Sequence, residues 1–472
     1  MEDKVEVHMR DSDAFSWYME KDPLLRSTVV VVLLLDGTPD WERLPERIEY
    51  MTRMSPGFRH KVVHPPLRLA TPRWVVDSDF DVSWHVRRFE AAEPRNLEGV
   101  LEFARKTGMA GLDRDRPLWE CTFIDGLDNG QTGVVLKVHH SLTDGVGGMD
   151  LAAFLFDLER KPKTTPPLPE APEGEDVGTV ELVKDALSHD LSRFVGLSKL
   201  VTSQVADSLG QALRHPRRAA SEVVATGMSI AKFLEPVSET LSPLMIERKM
   251  TWRFDVLQVP LQPMLDAAHA AGVTHNDAFL SSVTAGLRRY HEHHNASVGD
   301  LRVTLPISIR KDDDPIGGNR ITLMRFKVPA GIADPRERMV ATHECTTEVK
   351  HERSIPFTNA MAGTLNLLPR GYVGGMLKHI DFLASNVPGI PVPFYLAGAK
   401  VEGFYGFGPT IGAALNVTLM SYQGVCNVGV NMDAGAISDP DLLMQCLREG
   451  FDEVLSVGGA DPQSVLPAHA TG

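Results

Sequence analysis

Hydrophobic and polar positions alternate along this chain in a way that predicts strands and helices in succession. The aliphatic run Thr28 to Leu35 is closed by Asp36-Gly37 and predicts a buried strand. Trp41, Leu44, Ile48 and Met51 then recur at helical spacing until Ser55-Pro56-Gly57 breaks the pattern. A second strand is predicted over Val134 to His139, followed by an amphipathic helix marked by Leu151, Phe154, Leu155 and Leu158. Residues 139–145 therefore fall on a strand-to-helix connection.

Between Lys161 and Gly178 five prolines occur with no apolar period, the composition of an exposed linker. From about Val180 to Met250 the pattern predicts helix, broken near His215-Pro216 and read as a connector packed on one lobe, with a bridging or lipid-facing element as the alternative. The second half returns to the mixed pattern. Phe279, Leu280, Val283, Leu287 and Tyr290 share one helical face, and strands are predicted over Arg302 to Ile309, Thr410 to Met420 and Gly424 to Met432. The expected organisation is an N-terminal lobe over 1–160, a linker and helical connector over 161–250, and a C-terminal lobe over 251–472. Both lobes mix helices and strands, so the fold class is α/β (mixed α+β), with the site expected where the lobes meet.

A length of 472 residues fits two domains or one two-lobed body, and 43% hydrophobic with 23% charged residues excludes a disordered or fibrous chain. A net charge of -14 gives nucleic acid no electrostatic reason to bind, so no nucleic-acid partner is expected. The four cysteines, Cys121, Cys345, Cys426 and Cys446, show neither CxxC pairing nor tight spacing, which fits a reducing, cytoplasmic setting. In such a setting the Asn295-Ala296-Ser297 sequon carries no glycan. The longest aliphatic run is too short to span a bilayer, so membrane contact is expected to be peripheral.

The candidate chemistry lies in His139-His140-Ser141-Leu142-Thr143-Asp144-Gly145. Successive strand residues point to opposite faces, so His139 and His140 cannot easily serve one target. One of them must do the chemistry, with Asp144 placed to orient an imidazole or brace the loop and Gly145 relieving a tight turn. Two adjacent histidines and one Asp make an incomplete, poorly facing ligand set, so no metal is expected. Ser141 should face away from His140, and no GxSxG elbow accompanies it, which argues against an acyl-enzyme. His291, His293 and His294 read as a solvated helix end, and Gly403, Gly406, Gly408 and Gly412 read as strand and turn glycines without the Lys-Ser/Thr of a phosphate loop.

The HHxxxDG pattern resembles that of the CoA-dependent acyltransferase superfamily, and surrounding blocks narrow the resemblance to the bacterial wax ester synthase/diacylglycerol acyltransferase family. These blocks, in family order, are Asp13-Ala14-Phe15 with Glu20, Phe80-Asp81 with His85-Val86-Arg87, Pro117-Leu118-Trp119, Asn276-Asp277, Pro306 to Arg310, Gly318-Asn319 and Ser385 to Gly389. The resemblance covers about residues 10 to 455. The resemblance implies a two-lobed architecture like that of chloramphenicol acetyltransferase, with a channel between the lobes. It implies His140 as the base and His139 as its support, with Asp144 pairing a distant Arg, best matched by Arg310. Pro117, Leu118 and Trp119 are then structural, and Asn276 and Asp277 form a helix cap that shapes the channel. The implied substrates are acyl-CoA with diacylglycerol or a long-chain alcohol. No cofactor is implied, and contact with the inner membrane or lipid droplets is expected. Two alternatives stay open: an acyltransferase fed by a carrier-protein thioester, and a non-catalytic lipid-binding scaffold.

Overall fold

The computed structural model describes residues 7–65, 70–143, 145–162, 166–178, 181–185, 237–308, 321–352, 370–461 and 463–467. The N-terminal segment supplies α1 (Asp11–Met19), β1 (Thr28–Leu35), α2 (Leu44–Met54), β2 (His60–Val63), β3 (Arg73–Val76), α3 (Val82–His85), β4 (Val86–Glu90), α4 (Leu97–Met109), β5 (Trp119–Asp125), β6 (Thr132–His139) and α5 (Gly145–Leu155). The C-terminal segment supplies β7 (Trp252–Pro260), α6 (Leu261–Ala271), α7 (His275–His293), β8 (Asp300–Ser308), β9 (Ile321–Pro329), α8 (Pro335–Lys350) and α9 (Arg370–Leu377). It continues with β10 (Phe382–Ile390), β11 (Tyr395–Leu396), β12 (Ala399–Phe407), β13 (Leu415–Tyr422), β14 (Val425–Asp433), α10 (Pro440–Ser456) and β15 (Leu466–Pro467).

Two large sheets carry the lobes. The first runs β11-β12-β1-β6-β5-β4 and the second β15-β7-β14-β13-β10-β8-β9. The aliphatic run at residue 28 forms the middle of the first sheet, where β-branched residues suit a strand buried on both faces. β1 pairs antiparallel with β6 on one side and with β12 on the other, Val32 lying opposite Val135 and Tyr405. Sheet membership thus crosses the linker, because β11 and β12 come from the C-terminal segment. The two-lobed, mixed α/β architecture expected from the sequence is present. Phe407 of β12 stacks on Phe254 of β7 with ring centroids 4.2 Å apart, which ties one sheet to the other through a shared aromatic contact.

In the second lobe the apolar face of α7 is covered by α10. A Cβ on Gly450 would lie 2.5 Å from the Gly286 nitrogen, so the two backbones touch at a glycine pair. Gly389 serves a similar end in β10, where a Cβ would collide with the Ser421 carbonyl oxygen at 1.3 Å.

Several sequence expectations are corrected by the structure. The helix expected through Met250 is absent from residues 237–250. Pro243 disfavours helix at the preceding residue, and the buried Asp381 carboxylate accepts hydrogen bonds from the Leu241 and Ser242 amides, fixing an irregular path. The part of the expected connector over 186–236 lies outside the described residues. The strand expected from Thr410 begins only at Leu415, because Ile411 and Gly412 adopt positive φ and form a turn. Leu158 lies beyond α5 and is 72% exposed. His291 is not a solvated helix end. Fully buried, it has Nδ1 at 2.7 Å from the Leu287 carbonyl and Nε2 at 2.7 Å from Ser242 Oγ, and burial lowers its pKa. Residues 166–178 form no helix or strand, and Glu175 returns to β3 through its amide and the Val76 carbonyl.

Candidate active site

Alternation along β6 sorts its side chains between two environments. Val134, Leu136, Val138 and His140 line a cavity of about 400 Å³ between the sheets, and their cross-strand neighbours Leu33, Val31, Val29 and Ser27 line it with them. Residues opposite one another in an antiparallel pair share a face, so this row of four pairs is a direct consequence of register. The wall is almost wholly apolar. Its second side comes from the other lobe, including Thr304 of β8, Ser385 and Val387 of β10, and Asn416 and Thr418 of β13. Such a space accommodates hydrocarbon and exposes few polar groups to it. Among the described residues no set of three or more metal-ligating side chains comes together, and no helix is long and apolar enough to cross a membrane.

His140 enters this cavity at the end of β6, with its backbone N–H bound to the Ser27 carbonyl at 2.9 Å. His139 points the other way and is buried at 2% exposure. Its Nδ1 accepts the Ser141 amide at 3.1 Å and lies 2.7 Å from Ser141 Oγ. That bonding places the ring proton on Nε2, which stands 3.1 Å from Glu20 Oε1. Trp17 meets the His139 ring edge-on at 5.4 Å. Ser141 therefore belongs to the His139 side of the strand, as alternation predicts.

Glu20 organises this second environment, a cavity of about 270 Å³ also lined by Trp17, Arg26, Arg114 and Leu118. One carboxylate oxygen accepts the Ser27 amide at 2.7 Å, and the other accepts Arg114 at 3.0 Å. Burial pushes the Glu20 pKa up, but His139, the Ser27 amide and Arg114 outweigh it and hold it at about 2. Arg114 also sits 4.1 Å over the Trp17 ring. Farther along β6, Lys137 is buried with Nζ on the Gly111 carbonyl at 3.1 Å, and burial lowers its pKa.

The remaining candidate residues divide between bracing and distance. Leu118 gives its carbonyl to the His139 amide at 3.0 Å. Trp119 lines the cavity, donates Nε1 to the Phe58 carbonyl at 2.8 Å, and stacks on His85 at 4.4 Å. Pro117 precedes this pair and accepts the Trp119 amide at 2.9 Å. Gly145 opens α5. Asp144 and Arg310 lie outside the described residues, as do Gly318 and Asn319. Asn276 and Asp277 are not the N-cap of α7, and neither side chain lines the cavity. That cap is Thr274. Asp277, fully buried, closes a capping box with it and also holds His343 at 2.7 Å and Thr346 at 2.5 Å, which binds α7 to α8.

Cysteine is poorly placed to act as a nucleophile here. Cys121 lines the cavity, but burial pushes its thiol up to about 12, and Cys426 likewise to about 12. Sequence reasoning gave no role to Ser27 or Thr304 and none to Glu20 beyond its place in a motif. Strand alternation could have found Ser27, since it stands opposite His140 once β1 and β6 are paired.

Comparison with known proteins adds a sequence dimension to this geometry. Residues 9–279 match the model of the wax ester synthase/diacylglycerol acyltransferase catalytic domain, and residues 317–454 match that of the WS/DGAT C-terminal domain. A Mycobacterium tuberculosis protein named "Putative diacyglycerol O-acyltransferase" is 36% identical over 454 residues, covering 95% of this chain and 92% of that protein. A second protein of that name and organism is 30% identical over 467 residues, covering 94% and 88%. The solved wax ester synthase/diacylglycerol acyltransferase of Marinobacter aquaeolei superposes with a TM-score of 0.64 at 21% identity, over 96% of this chain and all of that one. The starter condensation domain of rhizomide synthetase, solved with C8-CoA and Leu-SNAC, superposes at 0.61 with 12% identity, over 98% and 96%.

Proposed function

The chain belongs to the wax ester synthase/diacylglycerol acyltransferase family, and from that membership we propose that it moves a long-chain acyl group from acyl-CoA to diacylglycerol or a long-chain alcohol, with His140 as general base. The observation that carries the reading is the position of His140. It is a titratable group set at the end of a β6 row, Val134, Leu136 and Val138, that is otherwise apolar, in a largely apolar cavity between the lobes.

In this mechanism a ring nitrogen of His140 takes the proton of the acceptor hydroxyl as its oxygen attacks the thioester carbonyl carbon. The tetrahedral intermediate collapses with loss of the CoA sulfur, and His140 returns the proton to it. General base catalysis of this kind supplies about 10²–10⁴-fold of the rate, and alignment of the two chains in the cavity supplies much of the rest. His139 supports the strand end from behind through Ser141 and Glu20. Transfer is direct, with both substrates bound together. Ser141 faces away from the cavity wall, and the buried Cys121 thiol stays protonated, so neither offers a ready nucleophile. Contact with a membrane or droplet surface is peripheral in this reading, as insoluble substrates require.

The test is direct. Purified protein is incubated with labelled palmitoyl-CoA and either diolein or hexadecanol, and the lipids are resolved. Triacylglycerol or wax ester from wild type, lost in His140→Ala, is the expected result. Transfer only from a carrier-bound thioester would replace the acyl-CoA reading, and absence of any product would leave a lipid-binding protein.

A further inference from the structure

Ser27 and His140 follow one residue beyond the last β1–β6 pair, Thr28 with His139, and continue its register through the His140 amide and the Ser27 carbonyl at 2.9 Å. Cross-strand neighbours of this kind hold their Cβ atoms about 4.5–5.5 Å apart on one face of the sheet. Ser27 is 1% exposed, lines the large cavity, and its Oγ has no hydrogen-bond partner among the described residues. The backbone of the same residue is fixed at both ends, its N–H by Glu20 at 2.7 Å and its carbonyl by His140. A buried hydroxyl without a partner is a defect that folded proteins seldom keep, unless a bound species completes it. This one is held rigidly beside the base.

We propose that the Ser27 hydroxyl is a catalytic hydrogen-bond donor of the acyl-transfer site, directed at the thioester carbonyl oxygen of the bound acyl-CoA. The assignment rests on the acyl-transfer reading given above. The atoms that react are the thioester carbonyl, the acceptor hydroxyl and the sulfur, and of these an oxygen is the better acceptor for the hydroxyl. Donation to the acceptor's oxygen would draw electron density from the atom that attacks. Donation to the carbonyl oxygen does the opposite. As the new C–O bond forms, the carbonyl π pair moves onto that oxygen, and the Ser27 hydrogen bond strengthens as the negative charge grows. When the pair returns, the C–S bond breaks, the thiolate takes the proton held by His140, and Ser27 keeps its own proton throughout. The role therefore needs no change in the protonation of Ser27.

The experiment compares wild type, Ser27→Ala and Ser27→Thr in turnover and in binding of two CoA probes. One is a difluoroketone analogue of palmitoyl-CoA with CH2 in place of sulfur, whose carbonyl hydrates to a tetrahedral diol. The other is S-hexadecyl-CoA, which has no oxygen at that carbon. Ser27→Ala is expected to lose about 10²-fold in kcat, with KM for both substrates within threefold. Its affinity for the ketone should fall by a similar factor and its affinity for the thioether should not change. Ser27→Thr restores the hydroxyl and should recover most of both losses. The thermal midpoint of Ser27→Ala should not fall, because the lost group had no partner in the folded protein and the Glu20 and His140 bonds are made by its backbone.

An active wild type with equal kcat and ketone affinity in Ser27→Ala would overturn the assignment while leaving the acyl-transfer reading intact. So would a loss confined to the KM of the acceptor. The same loss in Thr304→Val, with none in Ser27→Ala, would move the donor to the orphaned hydroxyl of β8 and overturn it too. Wild type that binds the ketone without turning over acyl-CoA would fail the broader reading, and the ketone affinity of Ser27→Ala would still decide on Ser27. Wild type that neither turns over nor binds the ketone removes both.

Discussion

The two adjacent histidines differ in everything except sequence position. His140 meets the cavity, and His139 is enclosed by Trp17, Ser141 and Glu20. His140→Ala should therefore leave a folded protein with activity lowered by about 10²–10⁴-fold. His139→Ala should lose less activity and more stability, because it leaves the buried Ser141 amide without its acceptor and removes one of the partners of Glu20. Parallel turnover assays and thermal melts check this, and an unstable His140→Ala beside a robust but inactive His139→Ala would reverse the two roles. Glu20 adds a pH dependence. Its folded pKa of about 2 lies below the ordinary 4.5, so the stability it contributes is complete above about pH 4.5 and is lost as pH falls toward 2. The difference in urea midpoint between wild type and Glu20→Gln should be largest above pH 4.5 and should shrink on acidification. A difference that grows on acidification would show that Glu20 is not ionised where the structure places it. The alternation that separated His139 from His140 is visible in the sequence itself, because it needs only the period of a strand. The Glu20 contact is not, since nothing local records that a helix end will be laid against a strand a hundred residues later.

Among the elements, α7 and α10 meet closely enough that glycine becomes a packing requirement. An alanine in a helix interior ordinarily gains about 1 kcal/mol over glycine. Gly450→Ala should instead lose about 1–3 kcal/mol, because its Cβ would press on the Gly286 and Ser282 backbone and force the helices apart. Urea unfolding measures the sign, and a gain would mean that the helices can separate freely. Asp277 binds elements in another way, through the Thr274 cap and the donors His343 and Thr346. Asp277→Ala should cost about 2–4 kcal/mol and leave kcat per folded molecule near wild type. A large kcat loss at unchanged stability would instead put this residue in the chemistry. The periodic face of α7 and the strand ending at His139 were both legible, as each buries a regular row of side chains. The cap of α7 was read in part, because Asp277 does cap the Thr274 amide, but the N-cap itself is Thr274, which caps reciprocally and lies outside the motif. The turn at Ile411 and Gly412 was hidden for a different reason, since its apolar composition matches that of the strand it precedes.

On the scale of the whole molecule, the lobes share more than a channel. β12 leaves the C-terminal segment to complete the sheet of β1, and Phe407 and Phe254 stack across the join. Neither lobe keeps its core intact without the other, so tryptophan fluorescence and far-UV circular dichroism should report one coincident transition in urea. Two separated transitions would mean that one lobe can stay folded after the other has unfolded. This pairing left no trace in the sequence pattern, which shows that a segment is a strand but not which distant strand it will join. It also sets a schedule for biosynthesis. β1 is complete at Leu35, whereas the strand that covers its free edge begins at Ala399. At translation speeds of about 5–20 residues per second, those intervening residues, about 360 of them, take roughly 20–70 s to emerge. For that interval Thr28 to Leu35, the most aliphatic stretch of the chain, keeps one row of amides and carbonyls unpaired on the nascent polypeptide. The ribosome-bound chain is thus a natural client for a chaperone that shields extended apolar segments, and slowing translation should increase aggregation rather than relieve it.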